Sequence, residues 1–205
     1  MKNTREAIKI AAVRLFNTRG LEATSLRDIA GEAGISPGNL TYHFKQKQDL
    51  IEALYFDLVD RLNTHIQGAA GKASVLSSIH QSAFAVMQEL YAYRFLLRDL
   101  YRVMQAYPAI RTHFIALQQY RTEQFLQVFQ LLTTEGLMRA PEFEGEYERL
   151  HERMNIFGDN WINALELLRG EVPQPVEYYT GLMFEMVYPY LTEKGKQEYN
   201  KLKDG

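Results

Sequence analysis

The spacing of glycine, proline and capping residues between positions 24 and 50 constrains this fold more than any other feature. Ser25 and Asp28 have the spacing of a capping box, and apolar residues then recur at helical intervals up to Gly34. Ser36 suits the cap of a further helix whose first position is Pro37. Two short helices joined by a glycine turn, after an amphipathic helix, indicate a three-helix unit with helix-turn-helix layout.

Helical periodicity also dominates the rest of the 205 residues, so we predict an all-α protein. Pro189 predicts an early end to the helical segment over 176–192, and the polar tail from residue 193 is predicted to fray. Loops are predicted at 68–74, 138–148 and 169–175. The predicted domains are a helix-turn-helix domain at 1–47 and a helical-bundle domain at 48–205.

Several functional classes lack their signatures. The chain has no cysteine, and its five histidines have no metal-binding spacing. Nucleophile-elbow, phosphate-loop and dinucleotide fingerprints are absent. No apolar run approaches the length of a membrane span, and the N-terminal segment lacks the apolar region of a signal peptide. We therefore expect a cytoplasmic protein that is not an enzyme and uses no cofactor or metal.

The first fifty residues are basic, with eight Lys or Arg and five Asp or Glu, whereas the remainder is acidic. On a helical wheel of the third helix, Leu40, Phe44 and Pro37 share a face that would pack inward. Gly38, Tyr42 and Lys45 lie near the opposite side, with Asn39 and Thr41 beside them and His43 toward the rim. A major groove requires such a face, because small residues allow close approach and polar groups reach base edges. Lys45 and Lys47 are placed to meet phosphates.

The stretch TSLRDIAGEAGISPGNLTYHFKQKQDLIEAL closely resembles the N-terminal DNA-binding domain of TetR-family transcriptional regulators, over roughly residues 5–55. The resemblance implies that residues around the second helix approach the DNA backbone, that the third helix enters the major groove, and that His43 and Lys47 reach phosphate. This sequence departs from the family pattern at two positions. Thr41 stands where the family often has tyrosine, and Gln46 stands where it often has a serine that caps the next helix. The DNA-binding candidates are Thr24, Ser25, Arg27, Ser36, Pro37, Gly38, Asn39, Thr41, Tyr42, His43, Lys45 and Lys47.

For the C-terminal domain the resemblance implies a homodimer and a small-molecule effector pocket. Two late apolar stripes suggest dimer helices, although both could instead bury against their own subunit. The dimer candidates are Met154, Phe157, Trp161, Leu165, Tyr179, Met183 and Met186. Aromatic and methionine side chains between 84 and 129 could line an apolar cavity or simply form the core. The pocket candidates are Phe84, Met87, Tyr91, Phe95, Tyr101, Met104, Phe125 and Phe129.

Arg94, Arg98 and Arg102 recur at intervals of four and could form a solvated face or bind an anionic ligand. The function predicted from the sequence is a repressor that binds an inverted-repeat operator in double-stranded DNA and is released by an effector, with no membrane partner. The alternatives are a helical protein-interaction module and an activator without a small-molecule effector.

Overall fold

The computed structural model describes residues 2–67, 74–170 and 172–203, and these residues form helices joined by short loops. Within those ranges there is no β-strand, and one isolated antiparallel bridge pairs Met138 with Leu191. The all-α prediction is therefore confirmed. The helices are α1 (Lys2–Arg19), α2 (Leu26–Glu32), α3 (Pro37–His43), α4 (Lys47–Gln67), α5 (Val75–Ala92), α6 (Arg94–Arg98), α7 (Leu100–Ala106), α8 (Pro108–Thr134), α9 (Glu146–Ala164), α10 (Pro175–Glu185) and α11 (Glu193–Lys203).

The chain packs as two compact groups. The N-terminal group contains the residues up to Arg61 together with 89–112, and the C-terminal group contains 62–88 together with the residues from 113 onward. Helices α4, α5 and α8 contribute residues to both groups. The boundary after residue 47 stays a prediction about the DNA-binding module, since packing groups and sequence modules describe different properties. No helix within the described residues is long and apolar enough to cross a membrane.

The core of the N-terminal group joins α1 to the two short helices and to α4. Ile8, Phe16, Ile29, Leu40 and Leu54 are all fully buried. Each belongs to an apolar stripe that recurs every three or four residues, which is why a helical period predicts this core well.

Asn17 attaches the segment before α6 to this core. Its Nδ2 donates to the Ala92 carbonyl at 2.7 Å, and its Oδ1 accepts from the Phe95 N–H at 3.1 Å. The rings of Phe16 and Phe95 lie 5.2 Å apart beside it. The side-chain amide thus satisfies two backbone groups near the start of α6. Both the nitrogen and the oxygen of the buried amide have a hydrogen-bond partner.

The core of the C-terminal group is built mainly from α8, α9, α10 and α11. Phe129, Leu150, Met154, Phe184 and Tyr199 belong to one buried cluster. The polar tail was predicted to fray, but α11 is helical over Glu193–Lys203 and buries Tyr199 against the rest. The prediction was wrong because Tyr199 and Leu202 pack against the core, and Thr192 fixes the start of the helix by accepting the Gly195 N–H.

The predicted breaks in this half of the chain lie where proline and glycine place them. A loop separates α8 from α9, and α10 ends at Glu185 before a 3-10 turn at Tyr188–Tyr190 that contains Pro189. Between α9 and α10, a π-helical turn at Leu165–Arg169 leads to Gly170, which has a φ of 64°. The predicted loop at 68–74 lies outside the described residues except for its last position.

An ion pair between the half-buried Arg139 and the buried Glu146 closes the loop before α9. Arg139 donates to both carboxylate oxygens of Glu146, at 2.9 and 2.7 Å, and Glu146 also accepts the Glu142 N–H at 2.7 Å. The bond from Arg139 is the main cause of a Glu146 pKa lowered from 4.5 to about 2. A carboxylate held this way stabilises the fold in its charged form.

Replacing Glu146 by glutamine is therefore expected to lower the melting temperature at neutral pH, with the deficit shrinking as pH falls. The folded pKa lies below the unfolded one, so the stabilisation is present above about 4.5 and is lost as pH falls toward 2. Melting curves followed by circular dichroism between pH 7 and pH 3 would measure the effect. Glu148→Gln, at an exposed position on the same helix, is the control; an equal deficit in both variants, constant with pH, would contradict the assignment.

Candidate nucleic-acid interface

Two side-chain caps start the helices of the candidate site. The Ser25 Oγ accepts the Asp28 N–H at 3.1 Å, while the Asp28 carboxylate accepts the Ser25 N–H at 2.8 Å. The Ser25 hydroxyl also donates to the Asp28 carboxylate, and this bond, followed by the one from the Ser25 N–H, lowers the pKa of Asp28. Ser36 caps α3 by accepting the Asn39 N–H at 3.2 Å, and Pro37 occupies the first turn. The capping box and the second cap are both confirmed.

The turn between α2 and α3 depends on Gly34. Its φ of 67° lies in the left-handed region, which glycine adopts without a steric cost. The turn allows the Ile35 N–H to reach the Ala30 carbonyl at 3.0 Å, closing α2. Helix α3 begins three residues after Gly34, at Pro37.

Helix α3 divides into a buried and an exposed side. Leu40 and Phe44 are 0% and 2% exposed, as the helical wheel predicts. Pro37 is exposed, contrary to that wheel, because the first helical residue precedes the part of α3 that packs. Gly38, Asn39, Thr41 and Lys45 are exposed as well, and Tyr42 is 72% exposed.

The exposed side chains of α3 are partly ordered by contacts within the helix. The Thr41 hydroxyl donates to the Pro37 and Gly38 carbonyls, each at 3.1 Å, so its methyl group and lone pairs remain available. The rings of Tyr42 and His43 meet edge to face with centroids 5.3 Å apart. The helix therefore presents an aromatic hydroxyl, an amide, a methyl group and a glycine on one accessible face.

The side chains of two residues predicted to contact DNA, Thr24 and Lys47, make contacts within the protein instead. Thr24 is 1% exposed and its hydroxyl donates to the Gly20 carbonyl at 2.8 Å, so its side chain closes the turn after α1 rather than facing outward. Lys47 extends inward, where its ammonium donates to the Leu21 carbonyl and lies 5.8 Å from the Phe16 ring centre. Burial lowers the pKa of Lys47. Sequence spacing does not reveal the position of either side chain, because both positions depend on the conformation of the loop after α1.

The acidic side chains of the N-terminal group are engaged in internal contacts. Asp28 caps α2, Glu32 pairs with Arg14, and Glu22 pairs with Arg102. Asp49 accepts the Gln46 N–H at 3.0 Å, which completes the start of α4 where the sequence indicates a poor cap. The exposed cations Arg27 and Lys45, together with the exposed Ser25 at the start of α2, thus meet solvent on a surface whose carboxylates are held in helix caps and ion pairs.

Comparison with known proteins identifies the family. A model described as bacterial regulatory proteins of the tetR family matches residues 10–54, and a model described as a bacterial transcriptional repressor, TetR, matches residues 58–199. The chain belongs to the TetR family. The second match alone covers more than half of the sequence, so the assignment includes the C-terminal domain.

Individual TetR-family members are similar in sequence or fold. The HTH-type transcriptional repressor KstR2 of Mycolicibacterium smegmatis is 32% identical over 98 residues, which are 46% of this chain and 47% of that protein. The chain spans about half the length of the curated relatives it matches. A TetR-family regulator from Marinobacter aquaeolei has the same fold, with a TM-score of 0.86 and 22% identity over 98% of this chain and 97% of its own. The ketosteroid transcriptional regulator KstR2 of Mycobacterium tuberculosis also has this fold. Its TM-score is 0.71 and its sequence identity is 19%, over 92% of this chain and 95% of its own.

The pocket candidates are divided between the two packing groups. Tyr91, Phe95, Tyr101 and Met104 belong to the N-terminal group, whereas Phe84, Met87, Phe125 and Phe129 belong to the C-terminal group. Tyr101 is 76% exposed and encloses nothing, because α7 turns it outward. Met87, Phe95 and Phe129 are buried in packed helices.

The three arginines predicted to share one helix face are separated by the break between α6 and α7. Arg94 donates to the Tyr91 carbonyl, Arg98 to the Asn17 carbonyl, and Arg102 pairs with Glu22. Arg98 and Arg102 therefore contact other segments of the N-terminal group, Arg94 bonds locally, and the three do not lie on one continuous helix.

Most dimer candidates are buried within a single chain. Met154, Trp161, Leu165 and Tyr179 are at most 8% exposed, and Trp161 and Tyr179 pack with ring centres 5.1 Å apart. Phe157, Met183 and Met186 are half-buried. The stripes therefore join α9 to α10 in their own subunit, because helical periodicity marks a buried face without saying which partner buries it. The exposed apolar side chains of this region are Ile156, Leu167 and Leu168.

Proposed function

We propose that this protein is a transcriptional regulator that binds an inverted-repeat DNA operator as a homodimer and represses the adjacent gene. The observation that carries the proposal is the exposed face of α3. Gly38, Asn39, Thr41 and Tyr42 are all accessible on a helix that is fixed from behind by Leu40 and Phe44. A rigid helix with this face can insert into a major groove and contact base edges.

Phosphate contacts would come from the cations beside that helix. Arg27 and Lys45 are exposed, and the nearby carboxylates are engaged in caps and ion pairs. Such contacts orient a protein on DNA, whereas the base contacts supply sequence preference. We assign orientation to Arg27 and Lys45 and preference to Asn39, Thr41 and Tyr42.

A dimer is supported by the apolar side chains that a single chain leaves in solvent. Leu167 and Leu168, in the π-helical turn, are 82% and 81% exposed, and Ile156 on α9 is 59% exposed. A second copy of the chain would cover such residues. One helix-turn-helix contacts few base pairs, and a two-fold dimer would read two half-sites about 34–36 Å apart.

The decisive experiment is selection of random duplex DNA by the purified protein, with sequencing of the retained fraction at low and physiological salt. An enriched inverted repeat is the expected result. Retention should weaken steeply as the salt concentration rises, because protein binding releases counterions from the phosphates and this release is less favourable at high salt. Enrichment of a single half-site would contradict the dimer. Absence of retention at low salt would contradict DNA binding and favour a protein-interaction module instead.

A further inference from the structure

Arg121, in the middle of α8, is a buried cation without a counter-charge among the residues that the structure describes. The residue is 9% exposed. Its guanidinium donates to the Gln124 amide oxygen at 2.8 Å and to the Asn63 amide oxygen of α4. Both partners are neutral, and no carboxylate within the described residues forms an ion pair with Arg121. The charge is thus hydrogen-bonded but not neutralised.

Burial of an unpaired charge is unfavourable, so proteins normally supply a partner of opposite sign. The same chain does so for the buried Glu146 carboxylate, which meets the Arg139 guanidinium in a two-point contact. Burial lowers the pKa of Arg121, in agreement with its missing counter-charge. A guanidinium also keeps N–H groups beyond those two bonds, and their planar arrangement matches a carboxylate.

Two apolar side chains flank Arg121 along α8. Leu117 and Phe125 lie one helical turn on either side of it, on the same face, and both are partly buried. Phe125 also packs against Phe129 of the buried core, with ring centres 6.3 Å apart. A ligand that brings an anion to Arg121 would therefore place apolar groups beside these side chains.

We propose that Arg121 binds the carboxylate of an apolar monocarboxylate, and that this anion competes with the Asn63 amide for the guanidinium. Asn63 lies on α4, the helix that begins at Lys47 directly after the DNA-binding helices. Release of Asn63 would alter how this end of α4 is held, and so change operator affinity. The regulatory step rests on the proposed DNA binding; the binding of the carboxylate does not.

The test uses sodium decanoate below its micelle concentration, with 1-decanol as the neutral probe of the same length, and isothermal titration calorimetry on the full chain. Wild type should bind decanoate, and 1-decanol about tenfold to a hundredfold more weakly, because a charge-assisted bond is lost. Arg121→Met should remove this preference. Arg111→Met, at an exposed arginine of the same helix, should keep it.

Two variants separate ligand binding from packing. Replacing a buried unpaired charge by an apolar side chain is expected to leave the melting temperature of Arg121→Met equal to or above that of wild type. Asn63→Leu removes the competing amide but keeps the cation, so decanoate should bind at least as tightly as to wild type. Equal affinity of wild type for the two probes, unchanged preference in Arg121→Met, or loss of decanoate binding in Asn63→Leu would each overturn the proposal.

The regulatory step is measured on the selected operator. Decanoate should weaken operator binding by wild type and leave Arg121→Met unaffected; an equal response of both would refute coupling through Arg121. If wild type retains no duplex DNA at all, the proposed function fails, while the calorimetric comparison still decides whether Arg121 is a carboxylate site.

Discussion

Substitution of Tyr42 by alanine is expected to reduce affinity for the selected operator about tenfold to a hundredfold while leaving the fold intact. Tyr42 is 72% exposed, so its removal costs the core nothing. On the proposed complex it reaches base edges, and a good base contact contributes about 1–3 kcal/mol of discrimination. Affinity for unrelated duplex DNA should fall much less, since phosphate contacts remain. Fluorescently labelled duplexes in a titration at fixed salt would give both affinities.

Tyr101 supplies a matched control for this substitution. It is also an exposed tyrosine of the N-terminal group, at 76%, but it lies on α7 rather than on α3. Tyr101→Ala should leave operator and non-specific affinity unchanged. Tyr42→Phe separates the hydroxyl from the ring: retained affinity would assign the contact to stacking or methyl packing. An equal loss for operator and unrelated DNA in Tyr42→Ala would contradict base readout by this residue.

Substitution of Gly195 by alanine is expected to lower the free energy of unfolding by about 3 kcal/mol, because the new methyl group has no space. A Cβ at this position would overlap the Leu137 carbonyl oxygen and crowd the Leu191 side chain. The obstacle is backbone, which cannot rotate away as a side chain can. A loss of this size corresponds to a fall of roughly 6–12 °C in melting temperature for a chain of this length.

Gly181, in the interior of α10, is the control for Gly195. A Cβ built there meets nothing within 4 Å, so Gly181→Ala should be neutral or stabilising, by up to about 1 kcal/mol, as expected for a helix interior. Both positions belong to the C-terminal group, and both variants are read by the same melting experiment. A Gly195→Ala variant as stable as Gly181→Ala would show that α11 does not pack closely on the loop after α8.

The close approach at Gly195 illustrates what the sequence could not reveal. Local signals predicted the helix starts at Ser25 and Ser36, the turn at Gly34 and the inward face of α3, because each depends on neighbouring residues. Helix α11 depends instead on Thr192, which accepts the Gly195 N–H at 3.2 Å and donates to the Gly136 carbonyl at 2.7 Å. No periodicity records a contact between residues so far apart in the chain.

In the candidate site, too, the features set by neighbouring residues could be predicted, and those set by contacts distant in the sequence could not. The outward side chains of α3 followed from counting around a helix, whereas the placement of Lys47 followed from the loop at Leu21, which spacing does not describe. The apolar stripes of α9 and α10 were visible, but their partner was not, because Trp161 and Tyr179 meet in the same chain. The spacing of α8 does not distinguish Arg121 from an ordinary surface arginine, because its burial and its neutral partners depend on tertiary contacts.

Trp161 is the single tryptophan of the sequence, and it is 1% exposed between α9 and α10. Intrinsic tryptophan emission therefore arises from one position, in the C-terminal group, and carries no direct signal from α1, α2 or α3. Circular dichroism, in contrast, averages over all helices. If denaturant shifts the emission to the red at the same concentration at which ellipticity is lost, the two packing groups unfold as one cooperative unit; separated midpoints would mean that the DNA-binding helices open independently.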